Sequence, residues 1–405
     1  MLLGLFMMTY AEPRAPLPRR RRLWPVFVPS ALLLLAAIGW SGFWFYAANQ
    51  VDVQFKGWQE REAKSGRVYD CSRREVGGFP FRFEVRCADP TISLTAQTAQ
   101  QFATKTPLTA KLSEILAVAQ IYDPTRVIAE FKGPVTVSET GQQPFATANW
   151  SLGHASAAGL PTLPKRISME FNDPVIERIV SGVTAPFFSA KHAEWHVRLV
   201  EGELNDHPVI ESVLRSEGAS VQGVHPVLEA PFDETVHVKL RGLNDFAPKS
   251  WPERFREIQA NGGGIDVTES RIQQGDTVAV AAGTLSLTPS GHLDGQLQMT
   301  IAGFEKIVPA LGLEKALAEG APPSNVAPGV STQDVNKVID SLDRIIPGLG
   351  KVARKNANAG LIAGLNLIGQ QTTLEGRPAR AITLRFMDGA LLLGPLRVAQ
   401  TPALF

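Results

Sequence analysis

The sequence has little that would place it in the familiar functional classes. Its 405 residues include only two cysteines, too few for a disulfide-stapled scaffold or a four-cysteine zinc site. Excess charge of one sign is missing too. The 40 basic and 39 acidic residues leave a formal charge of +1, which argues against a general nucleic-acid binder, because that function needs a concentrated positive field against phosphate. Only one run is long and apolar enough to cross a membrane. There is no nucleophile elbow, no Ser-x-x-Lys pair and no convincing carboxylate pair, so we expect no enzyme and no cofactor. Catalytic groups distant in sequence would escape such a search. What is plentiful is glycine (35) and proline (29), which favour turns and short strands over a helical bundle.

The apolar run covers residues 23–46, LWPVFVPSALLLLAAIGWSGFWFY, with no charged residue. About 20 apolar residues cross a ~30 Å hydrocarbon layer. Arg19, Arg20, Arg21 and Arg22 stand directly before it, so the positive-inside rule places the N-terminus in the cytoplasm and the body outside. In a bacterium this reads as a single-pass inner-membrane protein with a periplasmic body. Trp24 at one end, and Trp40, Trp44 and Tyr46 at the other, suit the two interfaces. The alternative is a cleaved signal peptide, but the run ends in bulky residues and only Ala47 and Ala48 offer small ones. Residues 49–66 read as a helix or extended stalk.

In GGFPFRFEVRCADP, Phe79, Phe81, Phe83, Val85 and Cys87 alternate with polar or small residues, as in a half-buried strand preceded by a Gly77-Gly78 turn. A hairpin centred on Phe79 puts Cys71 opposite Cys87, and an oxidising compartment would join them as a disulfide. Two buried free thiols, or a register shifted by a bulge, are the alternatives. Short alternating runs continue to about residue 300, among them 91–95, 127–131, 135–138, 146–152, 166–171, 194–200, 235–240 and 264–273. The runs 277–288 and 291–301 form a meander joined by Pro289-Ser290-Gly291. Many strands at this spacing argue for an extended antiparallel sheet.

Helical spacing is read at 108–121 (Leu112, Ile115, Leu116, Ala119), at 304–317, at 333–346 and near 357–370. Ser250 and Glu253 form a capping box before Trp251, Phe255 and Ile258, with Gly262 closing that helix. The stretch 320–332, GAPPSNVAPGVST, reads as a linker. Two closing strands fall within 379–399. The domain reading is therefore a basic tail (1–22), an anchor (23–46), a β-rich domain (47–319), the linker (320–332), and helices and strands (333–405) completing the same domain. The fold class is α+β and β-rich: a transmembrane helix, then an extended, curved antiparallel sheet with packed amphipathic helices. No repeat is close enough in sequence to be a solenoid unit.

His192 and His196 are four apart, but Ala193 stands where a metalloprotease helix needs Glu, and the surroundings alternate as a strand. Residues i and i+4 of a strand lie about 13 Å apart, so no metal site is read there. Gly348-Leu349-Gly350-Lys351 lacks the spacing and the Ser/Thr of a phosphate loop, and Gly262-Gly263-Gly264 precedes a strand where a dinucleotide loop should follow one.

Five segments together resemble the bacterial inner-membrane-anchored family numbered 2125 among domains of unknown function. They are GWSGFWFYAANQV, EVGGFPFRFEVRCADP, VAQIYDPTRVIAEFKGP, GTLSLTPSGHLDGQLQMTIAG and FMDGALLLGPLRVAQTPALF. That resemblance implies no activity. The order of anchor, long meander and amphipathic helices more loosely resembles AsmA-like envelope proteins, which implies lipid handling along a sheet groove. A concave face bearing Phe81, Phe83, Val85, Leu285, Leu287, Leu297 and Met299 would make an apolar groove, or else these residues form core beneath helices. The expected partners are the inner membrane, a lipid or another envelope protein, and no nucleic acid. A non-catalytic scaffold that recruits a partner through residues 333–370 is the second reading, and a hydrolase of envelope material the third.

Overall fold

The computed structural model describes residues 24–95, 106–160, 164–200, 207–244, 249–306, 308–311, 369–393 and 396–405, with scattered positions between 340 and 366. The chain divides into two compact units, Met1–Val51 and Asp52–Phe405. A single helix, α1 (Trp24–Lys64), begins in the first and ends in the second. It is long and apolar enough to cross a membrane. The segment read as helix or stalk is therefore helical. Leu32, Leu33, Leu34 and Leu35 are all more than 60% exposed, as side chains meant for hydrocarbon would be.

The second unit is built from antiparallel strands. They begin with β1 (Arg67–Asp70), β2 (Arg73–Gly77), β3 (Arg82–Ala88), β4 (Thr91–Leu94), β5 (Leu108–Lys111) and β6 (Glu114–Gln120). Next come β7 (Asp123–Lys132), β8 (Val135–Glu139), β9 (Pro144–Asn149), β10 (Leu152–Ala158), β11 (Arg166–Asn172) and β12 (Val175–Val180). β13 (Val183–Ser189), β14 (His192–Val200), β15 (Val209–Val221), β16 (Phe232–Arg241), β17 (Gly264–Gln274) and β18 (Thr277–Leu287) continue the series. β19 (Leu293–Ala302), β20 (Gln370–Leu374), β21 (Arg377–Met387), β22 (Ala390–Leu393) and β23 (Leu396–Gln400) complete it.

Two pairing ladders run through these strands. The main sheet is ordered β2-β3-β6-β7-β10-β11-β14-β15-β16-β17-β18-β19-β21, and the far side of β21 carries β20 and then β22-β23. The second sheet is ordered β1-β4-β5-β8-β9-β12-β13 and ends on the last residues of β15. Between β3 and β14 the chain lays two strands in one sheet, turns a corner and lays two in the other. The outward corners are Asp89-Pro90, Gly133-Pro134 and Asp173-Pro174, roughly forty residues apart. The repeat is thus one of topology, which sequence similarity does not display.

The corners have a local cause. Asp89 and Asp173 take left-handed backbone (φ 45° and 49°), which Asp tolerates better than most residues. A serine from the neighbouring circuit braces each one. Ser72 Oγ donates to Asp89 Oδ2 at 3.0 Å, and Ser151 Oγ to Asp173 Oδ2 at 2.8 Å. Proline then costs no ladder hydrogen bond, because pairing changes sheet at that point.

Several elements differ from the sequence reading. Residues 108–121 form β5 and β6, not a helix: Ile115, Ala117 and Ala119 pair across to both β3 and β7, and that pairing overrides a spacing that fits a helix as well. Phe79 and Phe81 lie in the turn before β3 and are exposed, so the strand begins only at Arg82. In the 304–317 segment two 3-10 turns stand at Phe304–Lys306 and Val308–Leu311. The helices read at 333–346 and 357–370 and the linker fall mostly outside the described residues, although Asp340, Asp343, Arg344, Asn358, Ala359, Ile362 and Ala363 are helical. The closing pair is three strands, β21 to β23, with β20 before them.

The expected capped helix is present as α2 (Trp251–Ala260), with both halves of its Ser250/Glu253 capping box made. Its Ile258 is 1% exposed and packs with Leu243 and with Leu287 at the end of β18. Gly263 follows because a Cβ there would lie 2.1 Å from the Arg241 carbonyl oxygen.

Within the second unit, α1 from Asp52 onward packs on β1 and β2. Trp58 meets Tyr69 at 4.6 Å between ring centroids, and the Arg74 guanidinium lies 4.7 Å from the Phe55 centroid. Arg74 also donates to Asp52, and Arg67 Nε donates to Glu62 Oε2 at 2.6 Å. Cys71 and Cys87 form a disulfide with Cα atoms 5.5 Å apart. The register differs from a hairpin centred on Phe79, since Arg74 stands opposite Cys87 and Cys71 reaches it from the bend between β1 and β2.

Candidate functional site

Alternation along each strand assigns its residues to faces, and the pairing register determines how those faces join. Following one cross-strand row, Phe83 pairs with Ala119, which pairs with Val127, then Ala157, Ile167 and Val197. The row continues through Ser212, Val238, Val267 and Gly283 to Leu297, Leu384 and Leu393. Only Ser212 is polar in a row that crosses thirteen strands. At about 4.8 Å per strand it is roughly 58 Å long.

The parallel row two residues away is equally apolar. It runs from Val85 through Ala117, Ala129, Ala155, Met169 and Trp195, then Leu214, Val236, Ser270, Ala281, Met299 and Ile382. Bulges in β16–β17 and β17–β18 keep the faces in phase, because the extra residue on β17 returns Val267 and Ser270 to the same side.

This face is closed at its ends and open in its middle. Toward the β3 end Phe83 and Cys87 are buried, and toward the β21 end Leu285 and Leu287 of β18 and Ile382 of β21 are buried. In the centre the directly paired Trp195 and Leu214 are 43% and 41% exposed. Trp195 Nε1 donates to Ser212 Oγ at 2.9 Å, which fixes the indole beside Leu214. Corner residues also reach this face: Trp150 lies 5.0 Å from the Phe171 ring and donates its Nε1 hydrogen to the Phe131 carbonyl at 2.8 Å. Gly153 leaves the room, since a Cβ there would lie 2.5 Å from Trp150 Nε1.

Of the residues read as groove-lining, Phe83 and Leu297 share the first row, and Val85 and Met299 share the second. Leu285 lies one row further, paired to Gly295, and Leu287 is packed under α2. Phe81 stands in the turn. The central residues of the face, Met169, Trp195, Val197 and Leu214, escaped the sequence reading because their strands carry no single distinctive run. The signal available was the alternation Ile167-Met169-Phe171 and Ala193-Trp195-Val197.

The opposite face of the same strands is polar. Glu194 lies among Arg215 (2.6 Å), His196 (3.1 Å) and His192 (3.8 Å). Burial pushes the Glu194 carboxyl up, but the His196 hydrogen bond and the Arg215 charge outweigh it and hold the group below the usual range. Glu211 accepts from Arg198 and, at 2.8 Å, from His237, and the Arg198 hydrogen bond foremost keeps its carboxyl low. Arg166, His196, Arg198, Glu211 and His237 line a shallow cavity of about 350 Å³. His192 and His196 both turn Nε2 toward Glu194 Oε2, and on its other side His192 Nδ1 lies 2.8 Å from Asn172 Oδ1.

The model of a family described as "Uncharacterized protein conserved in bacteria (DUF2125)" matches residues 44–402. No curated protein matches this sequence. The family match takes in every strand of both sheets and leaves out most of the apolar first unit, and the chain belongs to that family.

Proposed function

We propose that this member of an uncharacterised bacterial family is an inner-membrane-anchored periplasmic protein that holds a lipid, or another hydrophobic envelope component, along the apolar face of its main sheet, without catalysis. One observation carries the reading: two adjacent apolar rows run in register across the sheet, and their centre is exposed at Trp195 and Leu214. A soluble domain ordinarily covers such a surface, so a contiguous apolar strip left open signals an apolar ligand or partner. Its length of roughly 58 Å exceeds the ~30 Å hydrocarbon thickness of a bilayer, which suits passage of a chain along it as well as storage. Each methylene laid on it contributes about 0.8 kcal/mol, so one acyl chain supplies ample affinity.

Placement in the inner membrane with the body outside the cytoplasm rests on the Arg19–Arg22 cluster before the apolar helix and on the Cys71–Cys87 bond, which belongs to an oxidising compartment. The looser likeness to AsmA-like proteins points the same way by analogy.

The test is purification in a mild detergent followed by lipid extraction. Lipid is expected to stay with the wild-type chain and to fall by about tenfold in a Trp195→Glu/Leu214→Glu double variant, because two charges in the strip oppose an acyl chain. Both side chains are more than 40% exposed, so the variant should keep its circular dichroism. A wild-type chain without lipid, or equal retention by the variant, would overturn the reading.

A further inference from the structure

The polar face carries a second constellation, set by the register of β10, β11 and β14. His154 pairs with Glu170, and Glu170 pairs with Glu194, so two carboxylates stand directly opposite each other on adjacent strands. Like charges in that position are destabilising, and a cation placed between them reverses the sign.

Each carboxylate is already held by one oxygen. His154 Nε2 lies 3.0 Å from Glu170 Oε2, and Arg215 Nη1 donates to Glu194 Oε1 at 2.6 Å. The remaining oxygens are Glu170 Oε1 and Glu194 Oε2, and His196 Nε2 lies 3.1 Å from the latter. His196 Nδ1 is buried and has no hydrogen-bond partner among the described residues, so no second contact opposes a shift of the ring toward an ion. One donor atom each from Glu170, Glu194 and His196 lie within 4.8 Å of one another. The ligand separations of a zinc-sized ion, with bonds of about 2.0–2.2 Å, are reached by small side-chain movements.

We propose that Glu170, Glu194 and His196 bind one first-row divalent transition-metal ion on the outer face of the main sheet. His154 and Arg215 are the positioning residues that orient the two carboxylates from behind, as outer-shell partners do in metal sites. The imidazole in the donor set selects zinc-like ions over calcium and magnesium, which favour all-oxygen shells. Three protein ligands leave a coordination position open. The site lies on the face opposite the apolar rows and does not depend on the lipid reading.

The experiment uses the untagged full chain in detergent, stripped with a chelator and dialysed against zinc. One zinc per chain is expected. Glu170→Gln and His196→Gln should each weaken binding at least about tenfold, since even outer-shell losses cost 10–100-fold. Glu217→Gln, on β15 and exposed on the same face, should bind as wild type, and excess calcium should not compete. Circular dichroism of each variant, with a zinc-dependent rise in melting temperature that the two ligand variants lack, separates lost ligands from lost fold. The proposal is overturned if the wild-type chain takes up no zinc, or if both ligand variants retain it with wild-type affinity, which would mark the metal as adventitious.

Discussion

Replacing both cysteines, Cys71→Ala with Cys87→Ala, is expected to lower the stability of the strand-built second unit by about 3 kcal/mol, the chain-entropy value for a loop of this size. The bond closes a separation of 16 residues. Its position makes the loss structural as well as entropic. Cys71 follows β1, an edge of the second sheet, and Cys87 lies in β3 of the main sheet. The bond therefore pins the starting edges of the two ladders together, beside the Ser72 contacts to Ala88 and Asp89. Cys87 is also buried, so alanine leaves a small void there. Urea midpoints of the full chain in detergent measure the difference, and the same fall should follow when the wild-type protein is reduced. A loss under about 1 kcal/mol would mean that α1 packing on β1 and β2, not the bond, holds this edge.

Glu257→Ala in α2 is expected to cost about 3 kcal/mol, the lower end for removing one partner from a buried ionic network. The Glu257 side chain is 6% exposed and is shared by Lys249 Nζ at 3.0 Å and Arg254 Nη1 at 2.9 Å, and it also accepts from the Asn244 backbone N–H. Its neighbour Ile258 is the buried contact of the same helix, so a loosened Glu257 releases the cap over Leu287. A pH dependence follows. Burial pushes the Glu257 carboxyl up, but the Asn244 N–H, Lys249 and Arg254 outweigh that and hold it below the ordinary glutamate value of about 4.3. A carboxyl depressed in the folded state contributes stability that is full above its unfolded pKa and is lost as pH falls through the folded one. Glu211, held low by Arg198 and His237, adds to the same window. Wild-type urea midpoints should therefore fall as pH drops below about 4, and Glu257→Gln should flatten that slope while lowering the plateau. An unchanged slope in the variant would remove Glu257 from the acid response.

Much of the local structure was legible because its causes are local. Ser250 and Glu253 announced α2, and Pro289-Ser290-Gly291 announced the β18–β19 turn. The alternation of Phe83, Val85 and Cys87 marked β3 and brought Cys87 into view as a disulfide partner. Cys71 joins Cys87 as the sequence suggests, but the strand register differs, because the turn takes in Phe79 to Phe81 and so places Arg74 opposite Cys87. Residues 108–121 depart from the helical reading for a different reason. Leu112, Ile115, Leu116 and Ala119 fit a period of 3.6, while Ile115, Ala117 and Ala119 fit a period of two, and only pairing with β3 and β7 decides between them.

The candidate metal ligands illustrate the same limit. In the sequence His196 is paired only with His192, which lies too far along the strand to share an ion with it. Its partners in space, Glu170 and Glu194, come together through the β11–β14 pairing, and nothing in the spacing of the numbers reports that.

Alone, the sequence determined the apolar helix with its arginine flank, the β-rich class, the β18–β19 turn, the capped helix and, for strands such as β3, which residues share a face. These depend on residues within a few positions of one another, where backbone geometry and side-chain period act directly. The tertiary structure alone decided the register that strings those faces into two rows, one across thirteen strands and one across twelve, the corners that pass the chain between two sheets, and the meeting of two carboxylates with a histidine. Strand pairing joins residues at any separation, and a shift of one position would send every side chain to the other face, so the open apolar strip and the polar cluster behind it exist only in the assembled sheet.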